Sequence, residues 1–186
     1  MTKVRSLATP IEGLVCIERE PIGDARGSFA RLFCDGAYAA FGWPGKVRQI
    51  NHSRTCGQGS VRGMHFQRPP AAEAKLVTCT AGKVFDVAVD LRRGSPTFLR
   101  WHGVELVGGD GRSFLIPEGF AHGFQVLSDE AELLYFHSAP YSAEHEGGLA
   151  PSDPKLAIDW PLPIANLSRR DAAHRAIDDH FTGMIL

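Results

Sequence analysis

The sequence predicts an all-β protein, an antiparallel double-sheet jelly roll with short peripheral helices. Apolar and polar residues alternate with a period of two between Lys83 and Leu91, which is the pattern of a half-buried strand. Turn-forming residues interrupt the chain about every 8–12 residues, and helical periodicity is weak. Short strands at that spacing are typical of sandwiches and barrels, and the double-sheet jelly roll fits best.

Each predicted strand ends at a recognisable turn signal. The predicted strands are Lys75–Cys79, Lys83–Leu91, Phe98–Leu106, Phe114–Ile116, Phe124–Leu127 and Ala131–His137. The turns between them are Ala81-Gly82, Gly94-Ser95-Pro96, Gly108-Gly109-Asp110-Gly111 and Pro117. We expect the last two strands to form a hairpin that turns at Ser128-Asp129-Glu130. Short helices are predicted at Ala37–Phe41 and Ala172–Phe181.

The bulk composition indicates one soluble domain. No repeat or linker divides residues 1–186, and we expect a single jelly-roll domain in which residues 165–186 form a C-terminal extension. The net charge of -1 disfavours nucleic acid and anionic membranes as partners, and no apolar run approaches the length of a membrane span. The N-terminus lacks a signal-peptide pattern and the four cysteines are scattered, so we expect a cytoplasmic protein with reduced thiols.

Chemically active residue types concentrate in one segment. Arg62, His65 and Lys75 lie within fourteen positions of a region that otherwise has the pattern of buried strand. Charged groups are seldom buried unless they are paired or used. A base beside two cations therefore suggests proton abstraction from an anionic substrate. Arg62 and His65 differ in parity along a strand, and Gly63 between them could allow a β-bulge that turns both inward.

Strand alternation places further polar side chains on shared faces. A barrel interior that carries Gln49, Asn51, His65, Lys75 and Tyr135 would be a polar pocket, not a packed core. Taken alone, each residue also has a structural explanation. A strand histidine often serves a structural hydrogen bond, a lysine can extend from an edge strand, and a tyrosine can be a half-buried aromatic.

Several longer motifs follow one another in a fixed order. They include Asp24-x-Arg26-Gly27-x-Phe29, Gln49-x-Asn51-x-Ser53, Arg62-Gly63-Met64-His65-Phe66-Gln67, Glu73-x-Lys75-Leu76-Val77, Ile116-Pro117-x-Gly119-Phe120-Ala121-His122-Gly123-Phe124 and Leu167-Ser168-x-x-Asp171. On these motifs the chain resembles the dTDP-4-dehydrorhamnose 3,5-epimerases and their sugar-epimerase relatives, which have a cupin-type jelly roll. The resemblance runs from about Glu12 to Asp171.

The resemblance implies epimerisation of a nucleotide-linked 4-keto-6-deoxyhexose without a metal or other cofactor. The ketone acidifies the flanking C–H bonds, so a proton leaves one face, an enolate forms, and a proton returns to the other face. The resemblance assigns His65 as the base, Asp171 as its carboxylate partner, Tyr135 as the opposed acid and Lys75 as the cation near the keto oxygen. From the residues alone, Asp171 could equally be only a helix N-cap.

The resemblance also implies a substrate-binding set and a homodimer. Arg26 and Arg62 match diphosphate-binding positions, a role that suits paired guanidinium donors. The segment that carries Arg26 and Phe29 is expected to reach into the neighbouring subunit's site. The remaining assigned positions are Gln49 and Asn51 for the sugar and phosphates, His122 with Asp86 as a buried supporting pair, and Tyr141 beside the nucleotide.

Some residues depart from the family pattern. Family members that act on the rhamnose precursor commonly carry a thymine-recognising glutamate where this chain has Arg31, whose side chain offers donors only. Arg31 is therefore a candidate specificity residue, which could bind a phosphate, another base, solvent or a second subunit. Phe136, His137 and Pro140 also differ from expectation. These changes leave open a single epimerisation, at carbon 3 or carbon 5, or a nucleotide other than thymidine.

Two other classes of protein remain open from the sequence. A metal-dependent jelly-roll enzyme would typically need His-x-His with a later Glu and His, whereas His65 is followed by Phe66-Gln67. A non-catalytic sugar-nucleotide binding protein would keep the arginines and aromatics but would not need His65 together with Asp171. Metal analysis separates the first class, and substitution of His65 separates the second.

Overall fold

The computed structural model describes residues 3–186, whose strands form two large sheets and one small hairpin. The six-stranded sheet contains β1 (Lys3–Ala8), β2 (Val15–Glu20), β5 (Gln49–Cys56), β7 (Lys75–Ala81), β10 (Arg112–Ile116) and β12 (Glu130–His137). The five-stranded sheet contains β6 (Val61–Gln67), β8 (Lys83–Asp90), β9 (Trp101–Val107), β11 (Phe120–Val126) and β13 (Glu146–Gly148). The hairpin consists of β3 (Ile22–Asp24) and β4 (Gly27–Phe29).

The two sheets confirm the predicted double-sheet jelly roll. Their strand orders are β1-β2-β10-β7-β12-β5 and β13-β6-β11-β8-β9. All strand pairs in the described part of the chain are antiparallel. Inward-facing side chains of both sheets form one core, which includes Val77, Leu106, Phe114, Phe124 and Leu133. Burial of this apolar surface is the main force that holds the sheets together.

The predicted hairpin between residues 124 and 137 is wrong. Both strands exist, but β11 pairs with β6 and β8, whereas β12 pairs with β5 and β7. The turn between them therefore carries the chain from one sheet to the other. The chain also changes sheets between β7 and β8. A hydrogen bond joins the two connecting turns, because the Lys83 N–H donates to Ser128 Oγ at 2.9 Å. Strand periodicity predicts a strand but does not specify its partner.

One strand begins later than the sequence pattern suggests. The predicted strand Phe98–Leu106 is observed as β9, which starts at Trp101. The preceding residues turn around the buried carboxylate of Asp90. Both Ser95 Oγ and Thr97 Oγ1 donate to Asp90 Oδ2 at 2.6 Å, and these hydrogen bonds hold residues 95–97 in a turn.

The N-terminal helical prediction is confirmed and the C-terminal one is wrong. Residues 37–41 lie in α1 (Asp35–Tyr38) and a following 3-10 turn (Ala39–Phe41), which cover the outer face of the six-stranded sheet. The second helix, α2, spans only Arg169–Ala172. Beyond it the chain is held by contacts to other segments. The Ile177 N–H donates to Asp153 Oδ2 at 2.5 Å, and the Met184 N–H donates to the Leu91 carbonyl at 2.7 Å.

Among residues 3–186, none of the helices is both long and apolar enough to cross a membrane.

Candidate active site

A cavity of about 590 Å³ opens between the two sheets, and both sheets contribute polar side chains to its walls. The wall residues include Asn51, Ser53, Arg62, His65, Gln67, Glu73, Lys75, His122, Tyr135, His137, Tyr141, Glu146 and Arg170. The structure thus brings together most of the residues that the sequence places in a polar pocket.

A bulge in β6 turns Arg62 and His65 toward the same cavity. His65 lies opposite His122 of β11, whereas Arg62 lies opposite Phe124, so a three-residue step on β6 matches a two-residue step on β11. The extra residue reverses the normal alternation of side chains between the two positions. The bulge predicted from the parity of Arg62 and His65 is therefore present.

Gly63 makes this bulge possible. Its φ of +134° is a conformation that side-chain-bearing residues rarely adopt, and a Cβ there would lie 2.5 Å from Gly123 Cα. No larger residue fits without displacing the backbone of β11. The placement of Arg62 and His65 in one cavity thus depends on a glycine between them.

His65 forms a short hydrogen bond to a buried carboxylate. Its Nε2 atom lies 2.7 Å from Asp171 Oδ1, and the Gly63 N–H donates to Asp171 Oδ2 at 3.4 Å. Asp171 lies in the first turn of α2 and is not its N-cap. Ser168 is the N-cap, and its Oγ accepts from the Asp171 N–H at 3.0 Å. The cap therefore anchors the residue whose carboxylate faces His65.

The surroundings of the pair favour a neutral imidazole beside a charged carboxylate. Burial lowers the pKa of His65 below its ordinary value, and the positive charges of Arg170 and Lys75 lower it further, against the opposing effect of Asp171. Burial opposes ionisation of Asp171, but the hydrogen bond and charge of His65, with the hydrogen bonds to Gly63 and Ser168, together outweigh it and lower the pKa of this carboxyl. With Nε2–H directed at Asp171, the other ring nitrogen of His65 keeps its lone pair.

Tyr135 lies on the opposite sheet, in β12. Its hydroxyl is 2.9 Å from Ser53 Oγ on the neighbouring strand β5, and its ring centroid is 6.1 Å from that of His122. Burial raises the pKa of Tyr135 well above its ordinary value, and the negative charge of Asp86 adds to the effect. The phenol is therefore protonated throughout the neutral range and can act as a proton donor.

Lys75 begins β7 and is paired before any substrate binds. Its Nζ atom lies 3.2 Å from Glu73 Oε1 and 3.4 Å from the His65 carbonyl oxygen. The second oxygen of Glu73 is 2.7 Å from His137 Nδ1. Burial raises the pKa of Glu73, but the hydrogen bond from His137 and the charge of Lys75 outweigh burial and leave it lowered.

The second predicted pair, His122 with Asp86, is also formed. His122 Nε2 lies 2.7 Å from Asp86 Oδ1, and both side chains are almost completely buried. Its two members come from β11 and β8, which are neighbours in the five-stranded sheet. The pair adjoins the cavity at His122 and supports the wall beside Tyr135.

The nucleotide-binding candidates lie around the cavity mouth. Gln49 Oε1 accepts from the Tyr141 N–H at 2.9 Å, and Gln49 Nε2 donates to Asn51 Oδ1 at 3.0 Å. Tyr141 is 56% exposed, so its ring is available to a ligand. Arg62 is held by Thr55, whose Oγ1 accepts from the Arg62 Nε–H at 2.8 Å.

Within the described chain, five of the predicted site residues do not line this cavity: Asp171 and Gln49 contact its wall residues, and Arg26, Phe29 and Arg31 lie apart from it. Arg26 and Phe29 belong to the β3–β4 hairpin, all of whose residues are exposed. Arg26 forms an ion pair with its neighbour Asp24, and Phe29 is 69% exposed. Arg31 is half-buried between β4 and α1 and does not line the cavity.

A family model described as dTDP-4-dehydrorhamnose 3,5-epimerase matches residues 8–179 of the chain. The chain belongs to the dTDP-4-dehydrorhamnose 3,5-epimerase family. A relative of that name from Pseudomonas aeruginosa is 45% identical over 179 residues, which are 95% of this chain and 97% of the relative. The resemblance drawn from the motifs is therefore confirmed.

Solved structures of epimerases are similar to the whole fold. A dTDP-6-deoxy-D-glucose-3,5-epimerase from Legionella pneumophila, in complex with dTDP-4-keto-L-rhamnose, is 42% identical with a TM-score of 0.91 and covers 99% of this chain and 100% of its own. The sugar epimerase NovW from Streptomyces spheroides is 42% identical with a TM-score of 0.87 and covers 94% of this chain and 87% of its own.

Two wall residues of this epimerase fold were missed by the sequence reasoning. Arg170 donates to Glu146 Oε1 at 2.9 Å, and its Nη2 lies 3.1 Å from His65 Nε2. Glu146 Oε2 also accepts from the Tyr141 hydroxyl at 3.0 Å. Arg170 directly precedes Asp171, but the motif Leu167-Ser168-x-x-Asp171 leaves its position unspecified. Glu146 lies in a short strand that the alternation pattern does not reveal.

One cluster of ligand-type atoms adjoins the pair of His65 and Asp171. These two residues and His174 each offer one atom within 4.8 Å of the others, a set of two imidazoles and a carboxylate that is compatible with zinc. The guanidinium of Arg170 already lies beside His65 Nε2 and opposes a second positive charge there. The arrangement therefore suits a hydrogen-bonded base better than a metal ion.

Proposed function

We propose that this enzyme converts dTDP-4-dehydro-6-deoxyglucose to dTDP-4-dehydrorhamnose by inverting carbons 3 and 5 of the sugar. The observation that carries the proposal is that His65 of the five-stranded sheet, paired with Asp171 of α2, shares one cavity with Tyr135 of the six-stranded sheet. The Pseudomonas aeruginosa relative has the name of this activity, and the Legionella pneumophila structure contains the sugar nucleotide that such a reaction yields.

The proposed chemistry is a proton transfer across the sugar ring. The neutral imidazole of His65 removes the proton from the carbon beside the ketone, and the electron pair of the broken C–H bond moves into the enolate. Asp171 stabilises the imidazolium that forms, because its carboxylate accepts the Nε2–H. Tyr135 then donates its phenolic proton to the opposite face of the same carbon, which inverts the centre.

Lys75 supplies the positive charge at the enolate. Its ammonium has three N–H donors, and Glu73 and the His65 carbonyl oxygen account for two of them. The third donor remains for the oxygen of the substrate ketone. A fixed cation at that oxygen stabilises the enolate more than the ketone, which is the condition for faster proton abstraction.

Both proton-transfer groups must be reset after each inversion. His65 then holds the abstracted proton and Tyr135 is a phenolate, so the two groups exchange with water before the next step. His65 is 28% exposed at its side chain, and Tyr135 is hydrogen-bonded to Ser53 on the cavity wall. In deuterated water, the proton returned to the sugar is therefore deuterium.

We propose that the functional unit is a homodimer. Ile22 and Phe29 of the β3–β4 hairpin are 51% and 69% exposed, which is unusual for large apolar residues unless they meet another surface. The hairpin also carries Arg26, which the family pattern places on the substrate diphosphate. Insertion of this hairpin into a second subunit would place Arg26 and Phe29 at the mouth of that subunit's cavity.

Mixing two inactive variants tests the exchange directly. Neither Arg26→Ala nor His65→Ala homodimers contain a complete site. A mixed dimer holds one complete site if Arg26 serves the partner, so activity reappears after co-refolding. If Arg26 served its own subunit, the mixed dimer, like both parental dimers, would hold no site in which both residues are native, and mixing would restore nothing.

The base specificity depends on a separate proposal about Arg31. Arginine cannot accept a hydrogen bond from the thymine N–H, so we propose that Arg31 does not take over the role of the usual glutamate. The enzyme then binds dTDP mainly through the diphosphate and the ring of Tyr141. Arg31→Glu should tighten dTDP binding relative to dCDP, whose cytosine N3 carries no hydrogen, as measured by calorimetry. Equal changes for both nucleotides would exclude a role in base recognition.

Deuterium incorporation tests the overall reaction. The enzyme is incubated with dTDP-4-dehydro-6-deoxyglucose in deuterated water, and carbons 3 and 5 are followed by NMR. Label at both carbons is expected, and label at one carbon would replace the proposal with a single epimerisation. If His65→Ala retained nucleotide affinity while the native protein labelled neither carbon, the protein would instead be a sugar-nucleotide binding protein.

A further inference from the structure

Three titratable side chains share one buried site beside the cavity. The side chains of Glu73 and Lys75 are each 9% exposed and that of His137 is 10% exposed. Glu73 connects the other two, with one oxygen 3.2 Å from Lys75 Nζ and the other 2.7 Å from His137 Nδ1. A buried carboxylate with a partner on each oxygen has a fixed plane, because rotation would break both contacts.

The backbone holds the three residues in this relation. His137 and Lys75 are direct Cα partners in the pairing of β12 with β7. Glu73 lies in the loop before β7, and Ala74 clamps that loop to the end of β12. The Ala74 N–H donates to Ser138 Oγ at 2.8 Å, and the Ser138 N–H donates to the Ala74 carbonyl at 3.0 Å. The positions of the three side chains are thus set by strand register.

We propose that His137 is a positioning residue for Lys75, which acts by holding Glu73 so that the lysine ammonium stays at the ketone oxygen of the substrate. This inference rests on the proposed role of Lys75 at the enolate. His137 was one of the departures from the family pattern in the sequence. Its Nδ1–H occupies one oxygen of Glu73, and the remaining oxygen is directed at Lys75.

The physical reason is the flexibility of a lysine next to a buried negative charge. Lys75 has a long side chain with many rotamers, and a freely rotating Glu73 carboxylate would draw the ammonium into a bidentate contact away from the cavity. His137 prevents this by competing for one oxygen. Its Nε2 atom lies 3.4 Å from Asn51 Nδ2, so the ring is fixed on its other edge as well.

Two substitutions of His137 separate positioning from general packing. His137→Leu removes the donor to Glu73, whereas His137→Asn retains an N–H donor near the position of Nδ1. We expect the leucine variant to lower kcat by about 10-fold to 100-fold, the scale of a misplaced catalytic group, with KM changed less than about threefold. The asparagine variant should recover most of kcat.

His102→Leu is the matched control. His102 is a half-buried histidine on β9, its ring contacts Phe114, and it does not line the cavity. The same loss of an imidazole there should leave kcat unchanged. The proposal is overturned if His137→Leu retains the native kcat, if it raises KM with kcat unchanged, or if His137→Asn loses as much kcat as His137→Leu.

A measurement without substrate separates this inference from the proposed function. The carboxyl titration of Glu73 is followed by carbon-13 NMR in the native protein and in His137→Leu. Loss of the His137 hydrogen bond should raise the pKa of Glu73, because that bond opposes the effect of burial. A raised pKa without turnover of the thymidine substrate would support the network and reject the proposed substrate. An unchanged pKa would reject the network even if the enzyme epimerises normally.

Discussion

His65 and His122 lie on neighbouring strands of the five-stranded sheet, each paired with an aspartate, and only one of the two pairs faces the open part of the cavity. Each pair has a ring nitrogen 2.7 Å from a carboxylate oxygen, and His65 and His122 are direct partners across β6 and β11. The side chain of His65 is 28% exposed, whereas that of His122 is 6% exposed. Because the hydrogen-bond geometry is shared, access from the open cavity is what distinguishes the proposed base, His65, from His122.

Loss of the two imidazoles should have different consequences. His65→Ala removes the proposed base, and we expect kcat for solvent deuterium incorporation to fall by roughly a thousandfold, within the usual range for general base catalysis. His122→Ala should lower the melting temperature more and the rate less. Incorporation by His65→Ala at a near-native rate would mean that another group removes the proton.

Substitution of the two carboxylates sharpens the comparison. Asp171→Asn leaves His65 without its charged partner, so we expect an activity loss of about 100-fold with little change in stability. Asp86→Asn disrupts a pair that is buried on both sides, and removal of one partner of such a pair costs about 3–5 kcal/mol of unfolding free energy. Activity assays and chemical denaturation of both variants measure the contrast. Equal losses of stability in the two variants would contradict it.

Removal of the proposed acid, Tyr135, should have a smaller effect than loss of His65 or Asp171, and it should affect one step of the reaction. Tyr135→Phe keeps the ring but removes the proton that is returned to the sugar. Proton abstraction by His65 should continue, so exchange of label at the substrate carbon should exceed formation of the inverted product by about tenfold. Both rates are read from one NMR time course. Parallel loss of exchange and product would place Tyr135 in substrate binding instead.

The pH dependence should reflect the cations around His65. The base must be neutral, so kcat/KM falls as the pH drops through the pKa of His65, which lies below its ordinary value of 6.5. Arg170→Met removes a positive charge that lowers this pKa, so the acidic limb should move to higher pH. Arg54→Met, which removes an arginine bound to Glu130, serves as the control. If the acidic limb of kcat/KM lay at the same pH in Arg170→Met as in the native enzyme, this electrostatic effect would be excluded.

The sequence predicted which side chains meet in the cavity better than it predicted the path of the chain around them. Alternation identified the strands that carry Lys75 and Tyr135, and the parity of Arg62 and His65 predicted the bulge between them. These are local properties of a strand. The assignment of Asp171 to His65 came from family resemblance, since more than a hundred positions separate them and no local pattern connects them.

The errors concern interactions that local patterns do not encode. The segments 124–127 and 131–137 have the pattern of a hairpin, yet the turn at Ser128 joins different sheets because tertiary packing selects the partner of each strand. The predicted helix at residues 172–181 is replaced by an irregular tail, since Ile177 and Met184 are buried against other segments. The predicted places of Arg26 and Phe29 in a neighbouring subunit's site remain predictions, because they depend on a second subunit, and the role of Arg31 in specificity remains a prediction as well.

The glycine at the β6 bulge also limits how this enzyme can be redesigned. A Cβ on Gly63 would collide with Gly123, and a Cβ on Gly123 would lie 2.5 Å from Met64 Sδ and 2.8 Å from the Arg62 carbonyl oxygen. Neither glycine can therefore tolerate substitution alone. A side chain at either position meets the backbone of the facing strand. Directed evolution toward a new sugar nucleotide should therefore leave Gly63 and Gly123 unchanged and randomise wall positions outside the proposed catalytic network, such as Asn51 and Tyr141.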